Sequence, residues 1–123
     1  MCMIERRTST VSPLAAIGAV LCAVAIGLAA YAAHGVPDPK VQAALQSACL
    51  YAFGHGIALA ALAPRARRAL GQWALRLLLV GTLAFSGSIA LHHLAGASSA
   101  LAPAGGVAMM LAWLLWAVDA LRR

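Results

Sequence analysis

The chain has 123 residues, of which 63% are hydrophobic and only 10% are charged, and its mean hydropathy is +0.89. Soluble domains are about half apolar and about a quarter charged, so this composition excludes an ordinary water-soluble globule, and its hydrophobicity excludes an intrinsically disordered chain. The formal net charge of +6 does not indicate a nucleic-acid partner, because the basic residues form no stripe with interleaved aromatic side chains.

Four apolar stretches follow one another along the chain, each close to the ~20 residues that a helix needs to cross ~30 Å of hydrocarbon. They cover residues 14–33, 41–63, 72–94 and 101–120. Backbone groups in lipid must be hydrogen-bonded within their own segment, so each stretch is predicted to be a helix. The short connections make sequential neighbours antiparallel. The sequence therefore predicts a single domain over residues 1–123, an all-α integral membrane protein built as an antiparallel four-transmembrane-helix bundle.

Two of the stretches begin in ways that need interpretation. The first follows Arg6 and Arg7, as the apolar part of a signal peptide would, but it is longer than such a segment and is expected to be an uncleaved span. The second begins with the polar residues Gln42, Gln46 and Ser47. The sequence leaves open whether residues 41–47 enter the membrane or lie along its surface.

Basic residues are distributed unevenly between the two predicted sides of the membrane. Three clusters share one side: Arg6 and Arg7, then Arg65, Arg67 and Arg68, then Arg122 and Arg123. The opposite side has only Lys40, beside Asp38. The positive-inside rule therefore predicts that both termini and the central arginine loop are cytoplasmic. At this position the arginines are also expected to contact anionic head groups, which makes membrane lipids an expected partner.

Small residues recur at intervals of four on the first two predicted helices, as expected where helices pack closely in lipid. The stripes are Ala15, Ala19, Ala23 and Gly27 on the first helix, and Ala48, Ala52, Gly56 and Ala60 on the second. We expect these two stripes to face each other.

Aromatic and charged residues near the predicted cytoplasmic end follow the usual pattern of a membrane interface. Trp73, Trp113 and Trp116 are expected to form an interfacial aromatic belt, with Arg76 extending toward the same interface. Asp119 lies one turn before the C-terminal arginines, which predicts an exposed ion pair of little energetic weight.

The histidine at position 55 is the most informative polar residue. His55 lies well inside the second stretch, where a polar side chain is costly and needs a partner. Tyr51 is one turn away on the same face, and glycines on both sides of His55 leave room for a neighbouring helix or a small ligand. Ser86 and Ser88 lie at a depth within a turn or two of His55. We expect a hydrogen bond from His55 to Tyr51 or to one of these serines.

Several interpretations of the histidines stay open. A neutral His55 that holds helices together as a polar contact is the simplest. A metal or haem site would need a second ligand such as His34 or His92 at matching depth, and no cluster of carboxylates or thiols supports one. His93 adds little, because adjacent residues on a helix point about 100° apart. A proton or solute path through His55 and Tyr51 would lack the intramembrane acid that such paths usually contain.

The chain contains no complete set of catalytic residues. HExxH, GxSxG, a glycine-rich phosphate loop followed by lysine, and an acidic pair are all absent. The three cysteines, Cys2, Cys22 and Cys49, form no CxxC pair and are interpreted as small hydrophobic residues. We therefore predict no enzyme, no cofactor and no metal site. The residues of a candidate polar or ligand-binding cluster are His34, Tyr51, His55, Ser86 and Ser88.

Short motifs in these helices resemble those of the YgdD/YwdK-like small bacterial membrane proteins, a family of unknown function with relatives in animal cells. The motifs are residues 29–34, Tyr51 with His55, residues 85–88 and residues 102–106. The resemblance covers about residues 14–121 and implies four transmembrane helices and a bacterial inner membrane, without an established activity. This chain departs from the family pattern at Ala29 and Ala32, which replace glycines, at Gly54, which stands where an aromatic is usual, and at Ala102, which replaces a threonine.

Two functional hypotheses follow. The first is a non-enzymatic interaction or accessory role in the membrane, either by self-association or beside other membrane proteins. It rests on the missing catalytic set and on the small-residue stripes. The alternative is a small ligand-, metal- or proton-handling membrane module centred on His55.

Overall fold

The computed structural model describes residues 11–122, and within that range it contains only helices and their connections. The helices are α1 Pro13–Gly35, α2 Pro39–Leu62, α3 Ala69–Thr82, α4 Ser88–Ala95 and α5 Ala102–Leu121. A 3-10 turn at Ala63–Arg65 extends α2, and a π-helical segment at Leu83–Gly87 joins α3 and α4 into one span. The four resulting spans are long and apolar enough to cross a membrane. This confirms the predicted all-α membrane bundle.

The helix ends follow from local sequence signals. Ser12 and Asp38 each precede a helix and accept a backbone hydrogen bond from its first turn, which satisfies one of the free N–H groups there. Pro13 and Pro39 occupy the first helical positions, where a missing N–H costs nothing. Gly96 ends α4 in the left-handed conformation at φ 70°, which glycine adopts without strain.

The helices pack in an order that leaves α1 at one edge of the bundle. α1 packs mainly along α2, and α5 packs along α3 and the π-helical segment. α2 also contacts the third span, so it lies between α1 and the rest of the bundle. Leu59 of α2 and Leu75 and Leu78 of α3 are completely buried where α2, α3 and α5 meet. Met109 and Ala112 of α5 complete this core.

Paired glycines bring the helices into backbone contact at two places. A Cβ atom added to Gly56 of α2 would lie 2.6 Å from the carbonyl oxygen of Gly18 in α1. A Cβ added to Gly105 of α5 would lie 2.6 Å from the carbonyl oxygen of Gly81 in α3. Close approach of this kind gives membrane helices their dispersion contacts, because lipid supplies little hydrophobic force between them.

The predicted stripe on α1 is wrong, although Gly56 of the predicted α2 stripe does face α1. The buried residues of α1 are Gly18, Ala25 and Ala32, whereas Ala23 and Gly27 are exposed. Steps of four residues turn about 40° around a helix, while steps of seven turn back by only about 20°. The residues seven apart therefore stay on the contact face, and the stripe at intervals of four winds away from it.

α2 is a single continuous helix from Pro39, so residues 41–47 continue the direction of the second span. Gln42 packs this part of α2 against the end of α1, since its side-chain amide donates to the carbonyl oxygens of Ala32 at 2.9 Å and Ala33 at 3.2 Å. These carbonyls belong to the last turn of α1, where no backbone N–H group is available to them. The polar start of α2 therefore caps the C-terminal end of α1.

Candidate functional site

His55 forms a hydrogen bond with a residue of the last helix. The indole Nε1–H of Trp113 on α5 donates to Nε2 of His55 on α2 over 3.0 Å. An indole nitrogen only donates, so Nε2 of His55 accepts, and the ring is neutral with its proton on Nδ1. A protonated imidazole ring has no free electron pair at Nε2 and cannot form this bond.

The other ring nitrogen of His55 is buried. Among the described residues 11–122, Nδ1 has no hydrogen-bond partner. A buried donor without an acceptor is costly, and the few that proteins keep deserve an explanation. The Nδ1–H group is therefore a buried donor of this site with unused capacity to bind an acceptor atom.

Four aromatic rings from three spans form a continuous row. Their centroids are separated by 5.1 Å between Phe85 and Tyr51, 6.0 Å between Tyr51 and His55, and 5.9 Å between His55 and Trp113. Phe85 and Tyr51 meet edge to face at 76°, and such pairs contribute about 0.5–1.5 kcal/mol beyond their buried area. We call Phe85, Tyr51, His55 and Trp113 the aromatic row. It links α2 to the π-helical segment and to α5.

The π-helical segment positions one end of the aromatic row. The hydroxyl of Ser86 donates to the carbonyl oxygen of Ala48 on α2 over 2.8 Å, and Ser86 is buried. Phe85, the residue before it, contacts both Gly105 of α5 and the ring of Tyr51. A π-helical turn holds one more residue than an α-helical turn, which changes the rotation of the third span at Phe85 and Ser86. Such segments occur frequently at functional sites.

The structure brings together two of the five residues predicted to form a polar cluster. Tyr51 and His55 are neighbours in the aromatic row. Ser86 bonds a carbonyl of α2, so the expected hydrogen bond from His55 to a serine or to Tyr51 is wrong. Ser88 is buried at the start of α4, farther along the third span than Ser86. The sequence predicted the need for a partner but not its identity.

The other histidines lie at the opposite end of the bundle from the loop at residues 66–68. His34 is exposed and lies about 24 Å farther along α1 than the contact of Gly18 with α2, at 1.5 Å per residue. His92 contacts the carbonyl oxygen of Ala97 through Nδ1 at 2.9 Å, and the His92 and His93 rings meet edge to face. In the part of the chain from residue 11 to 122, no three His, Cys, Asp or Glu side chains come together as metal ligands.

Trp113 is the residue of this site that sequence reasoning missed. The sequence predicts an interfacial position for it, but the structure places Trp113 about 12 Å from the end of α5, at 1.5 Å per residue, and bonds it to His55. The belt prediction did not include this hydrogen bond, and the interfacial position itself stays a prediction. Trp73 differs, because it is exposed near the start of α3 and the guanidinium of Arg76 lies 4.9 Å from its ring centroid. The sequence signal for this contact was the number of residues between Trp113 and the end of the fourth stretch, because that number places Trp113 inside the span.

Asp119 is buried, so the predicted exposed ion pair is wrong in its exposure. Only 2% of Asp119 is exposed, and the carboxylate lies against the start of α3, where a Cβ on Gly71 would be 2.9 Å from Oδ2. Around it lies a surface that we call the arginine end, formed by Arg65, Arg67, Arg68 and Arg122. Here α2 ends, α3 begins and α5 ends.

The cysteines within the described residues lie inside the bundle. Cys49 is buried, and Cys22 contacts the carbonyl oxygen of Phe53 through its thiol at 3.5 Å. The Cys22 sulfur lies close to Gly56 at the contact of α1 with α2. Both therefore pack as small side chains, and Cys2 lies outside the described residues.

Comparison with known proteins gives a family match and a curated relative. Residues 28–106 match the family model described as "Protein of unknown function (DUF423)". Over 108 residues the chain is 30% identical to the UPF0382 membrane protein C1782.12c of Schizosaccharomyces pombe, and the alignment covers 79% of this chain and 92% of that protein. No solved structure matches the chain. These matches confirm the small membrane-protein family that the sequence motifs indicated.

Proposed function

The chain belongs to the DUF423 family of unknown function, and we propose its role from its own geometry because no activity comes with that membership. The protein is a non-enzymatic membrane protein that associates with other transmembrane helices. The contact surface is the outer face of α1, formed by Ala19, Ala23 and Gly27. The partner is a second copy of this chain or another membrane protein.

The position of α1 at the edge of the bundle carries this proposal. α1 has the smallest buried share of the four spans. The three residues of its outer face are exposed, and a Cβ at Gly27 would meet nothing within 4 Å. Small residues let a second helix approach closely in lipid, as Gly18 does for α2 on the opposite side of α1. The close packing of small residues that joins α1 to α2 is thus also available to a second helix on the outer face of α1.

The polar side chains inside the spans support a non-enzymatic role. His55 and Trp113 bond each other, and Ser86 bonds a carbonyl of α2. Thr82 is completely buried and donates to the carbonyl oxygen of Leu78 over 2.7 Å. These hydrogen bonds join or stiffen helices. Among the described residues, these polar side chains provide no pair of a nucleophile and an adjacent base.

The proposed location is the bacterial inner membrane, with both termini cytoplasmic. Arg65, Arg67, Arg68 and Arg122 lie at one end of the bundle, whereas the described residues at the other end include a single basic side chain of the lysine or arginine type, Lys40. The positive-inside rule makes the arginine end cytoplasmic. A cysteine accessibility test in intact cells, with labels placed at the exposed positions 37 and 69, would locate each end.

Association is tested by energy transfer between donor-labelled and acceptor-labelled copies of the full chain in liposomes, together with native mass spectrometry of protein released from its own membranes. We expect Ala23→Leu combined with Gly27→Leu to weaken association at least tenfold, about 1.4 kcal/mol, because leucine side chains hold the partner backbone away. Val24→Leu is the control, since Val24 is exposed and points about 100° away from Ala23 around α1. A monomeric wild-type protein without any co-purifying polypeptide would contradict the proposal.

A second candidate function is a small ligand-, metal- or proton-handling module centred on His55. The observation that favours its ligand-binding form is the buried Nδ1–H group without a partner among the described residues, which can donate to an acceptor atom on a ligand. Native mass spectrometry of wild type and His55→Phe separates the two functions. A bound metal, haem or small molecule that disappears in the variant, with assembly unchanged, would favour this second function over the first.

A further inference from the structure

The arginine end gathers positive charge from two distant parts of the chain. Arg65 lies in the 3-10 turn after α2, Arg67 and Arg68 lie in the connection to α3, and Arg122 follows α5. The side chain of Arg68 donates a hydrogen bond to the carbonyl oxygen of Arg122, which joins the two segments. The fold therefore places four guanidinium groups together.

A buried carboxylate forms the inner wall of this surface. Asp119 is the acidic residue beside these arginines among the described residues, and it is almost completely buried against α3. One carboxylate cannot neutralise four guanidinium groups. The four arginines are exposed, so their remaining charge faces outward and is available to an anion.

Two cavities connect these residues. One, of about 280 Å³, is lined by Arg65, Arg67, Arg68 and Asp119. The other, of about 190 Å³, is lined by Arg68, Leu70, Asp119 and Arg122. Because they share Arg68 and Asp119, they are adjacent parts of one surface. Guanidinium groups hold phosphate oxygens through paired hydrogen bonds, which makes phosphate the anion that suits such a lining best.

We propose that the arginine end binds the phosphate head group of an anionic phospholipid. The position of the cavities favours a lipid over a soluble anion. Arg68 directly precedes α3 and Arg122 directly follows α5, so both lie where membrane-spanning helices end and lipid phosphates lie. Exposed Trp73, stacked under Arg76 in the first turns of α3, fits the same interfacial depth. A zwitterionic choline lipid is disfavoured, because its ammonium group would lie among four guanidinium groups.

Native mass spectrometry of the full chain with added phosphatidylglycerol or phosphatidylcholine of identical acyl chains tests the proposal. We expect Arg65→Gln combined with Arg67→Gln to weaken phosphatidylglycerol binding about 30-fold, from about fivefold for each charge removed near the membrane surface. The matched pair removes one charge at a time: Arg67→Gln at the arginine end is expected to weaken binding about fivefold. The control, Lys40→Gln at the opposite end of the bundle, is expected to retain binding within about twofold. Arg65→Lys combined with Arg67→Lys keeps the charge and is expected to retain most of the affinity.

Three results would overturn the proposal. The first is equal binding of the two lipids by wild type, and the second is equal loss in the arginine variant and the control. The third is displacement of the lipid by inorganic phosphate at millimolar concentration, which would make the ligand a soluble anion. The outer face of α1 is not part of this surface. Its double leucine variant should therefore bind phosphatidylglycerol normally, so that the failure of one proposal does not affect the other.

Discussion

Gly105 and Gly106 are adjacent in α5 but have different surroundings, and this difference tests whether α3 and α5 are held together by backbone contact. A Cβ at Gly105 would lie 2.6 Å from the carbonyl oxygen of Gly81 and 2.9 Å from Cα of Phe85. These atoms and the backbone nitrogen of Phe85, which is closer still, belong to the backbone, which would have to move by roughly 1 Å to restore ordinary contact. A Cβ at Gly106 would meet only the ring of Phe85, at 3.8 Å.

The two alanine variants are therefore expected to differ in stability. Each gains up to about 1 kcal/mol of helix propensity, because alanine is the better helix former. Gly105→Ala also loses about 1–3 kcal/mol by overpacking, whereas Gly106→Ala fills open space. We expect Gly105→Ala to be the less stable of the two by about 1–3 kcal/mol, and Gly106→Ala to be as stable as wild type or slightly more so.

Reversible unfolding in mixed micelles of lipid and sodium dodecyl sulfate measures this difference, with tryptophan fluorescence as the signal. Gly106→Ala is the matched control, because it makes the same chemical change one position along the same helix. Equal free energies of unfolding for the two variants would show that α5 does not approach Gly81 closely. The glycine contact between α3 and α5 would then be wrong.

The remaining predictions concern polar contacts within the spans. A double-mutant cycle with His55→Phe and Trp113→Phe should give a coupling energy of about 0.6 kcal/mol and no more than about 1.7 kcal/mol, the range for hydrogen bonds between membrane helices. A coupling of zero in the same unfolding assay would remove Trp113 as the partner of His55. Ser86→Ala should lose about 0.6 kcal/mol through its bond to α2, while Ser88→Ala stays near wild type. The reverse order would contradict the position of the π-helical segment.

The number and type of the spans could be predicted from the sequence because lipid imposes few solutions. A chain that is mostly apolar and sparsely charged must form helices in the membrane, and proline at the start of α1 and α2 marks where two of them begin. These signals are local, or depend on composition alone. None of them requires knowledge of which helix lies beside which.

The contacts between helices were harder to predict, because they depend on register and rotation. The sequence indicated that His55 needs a partner, but counting residues from the ends of two stretches gives depth alone. Ser86 and Trp113 are both compatible with a position inside the membrane. The structure selects Trp113 through the rotation of α5, and Ser86 is directed to α2 by the π-helical segment. Hydrophobic periodicity is weak in helices that are apolar on every side, so that rotation was not encoded in a readable pattern.

The π-helical segment connects these observations to the proposed role of α1. It allows Phe85 to contact α5 and Tyr51 while Ser86 bonds α2, so the third span is tied to two neighbours at once. The aromatic row then joins α2 to α5 through His55 and Trp113. All of these polar and aromatic contacts lie among α2, the third span and α5, whereas α1 packs on the bundle through one face. A helix held in this way can offer its opposite face to another membrane helix without disturbing the rest of the bundle, which is why association through α1 agrees with the internal packing.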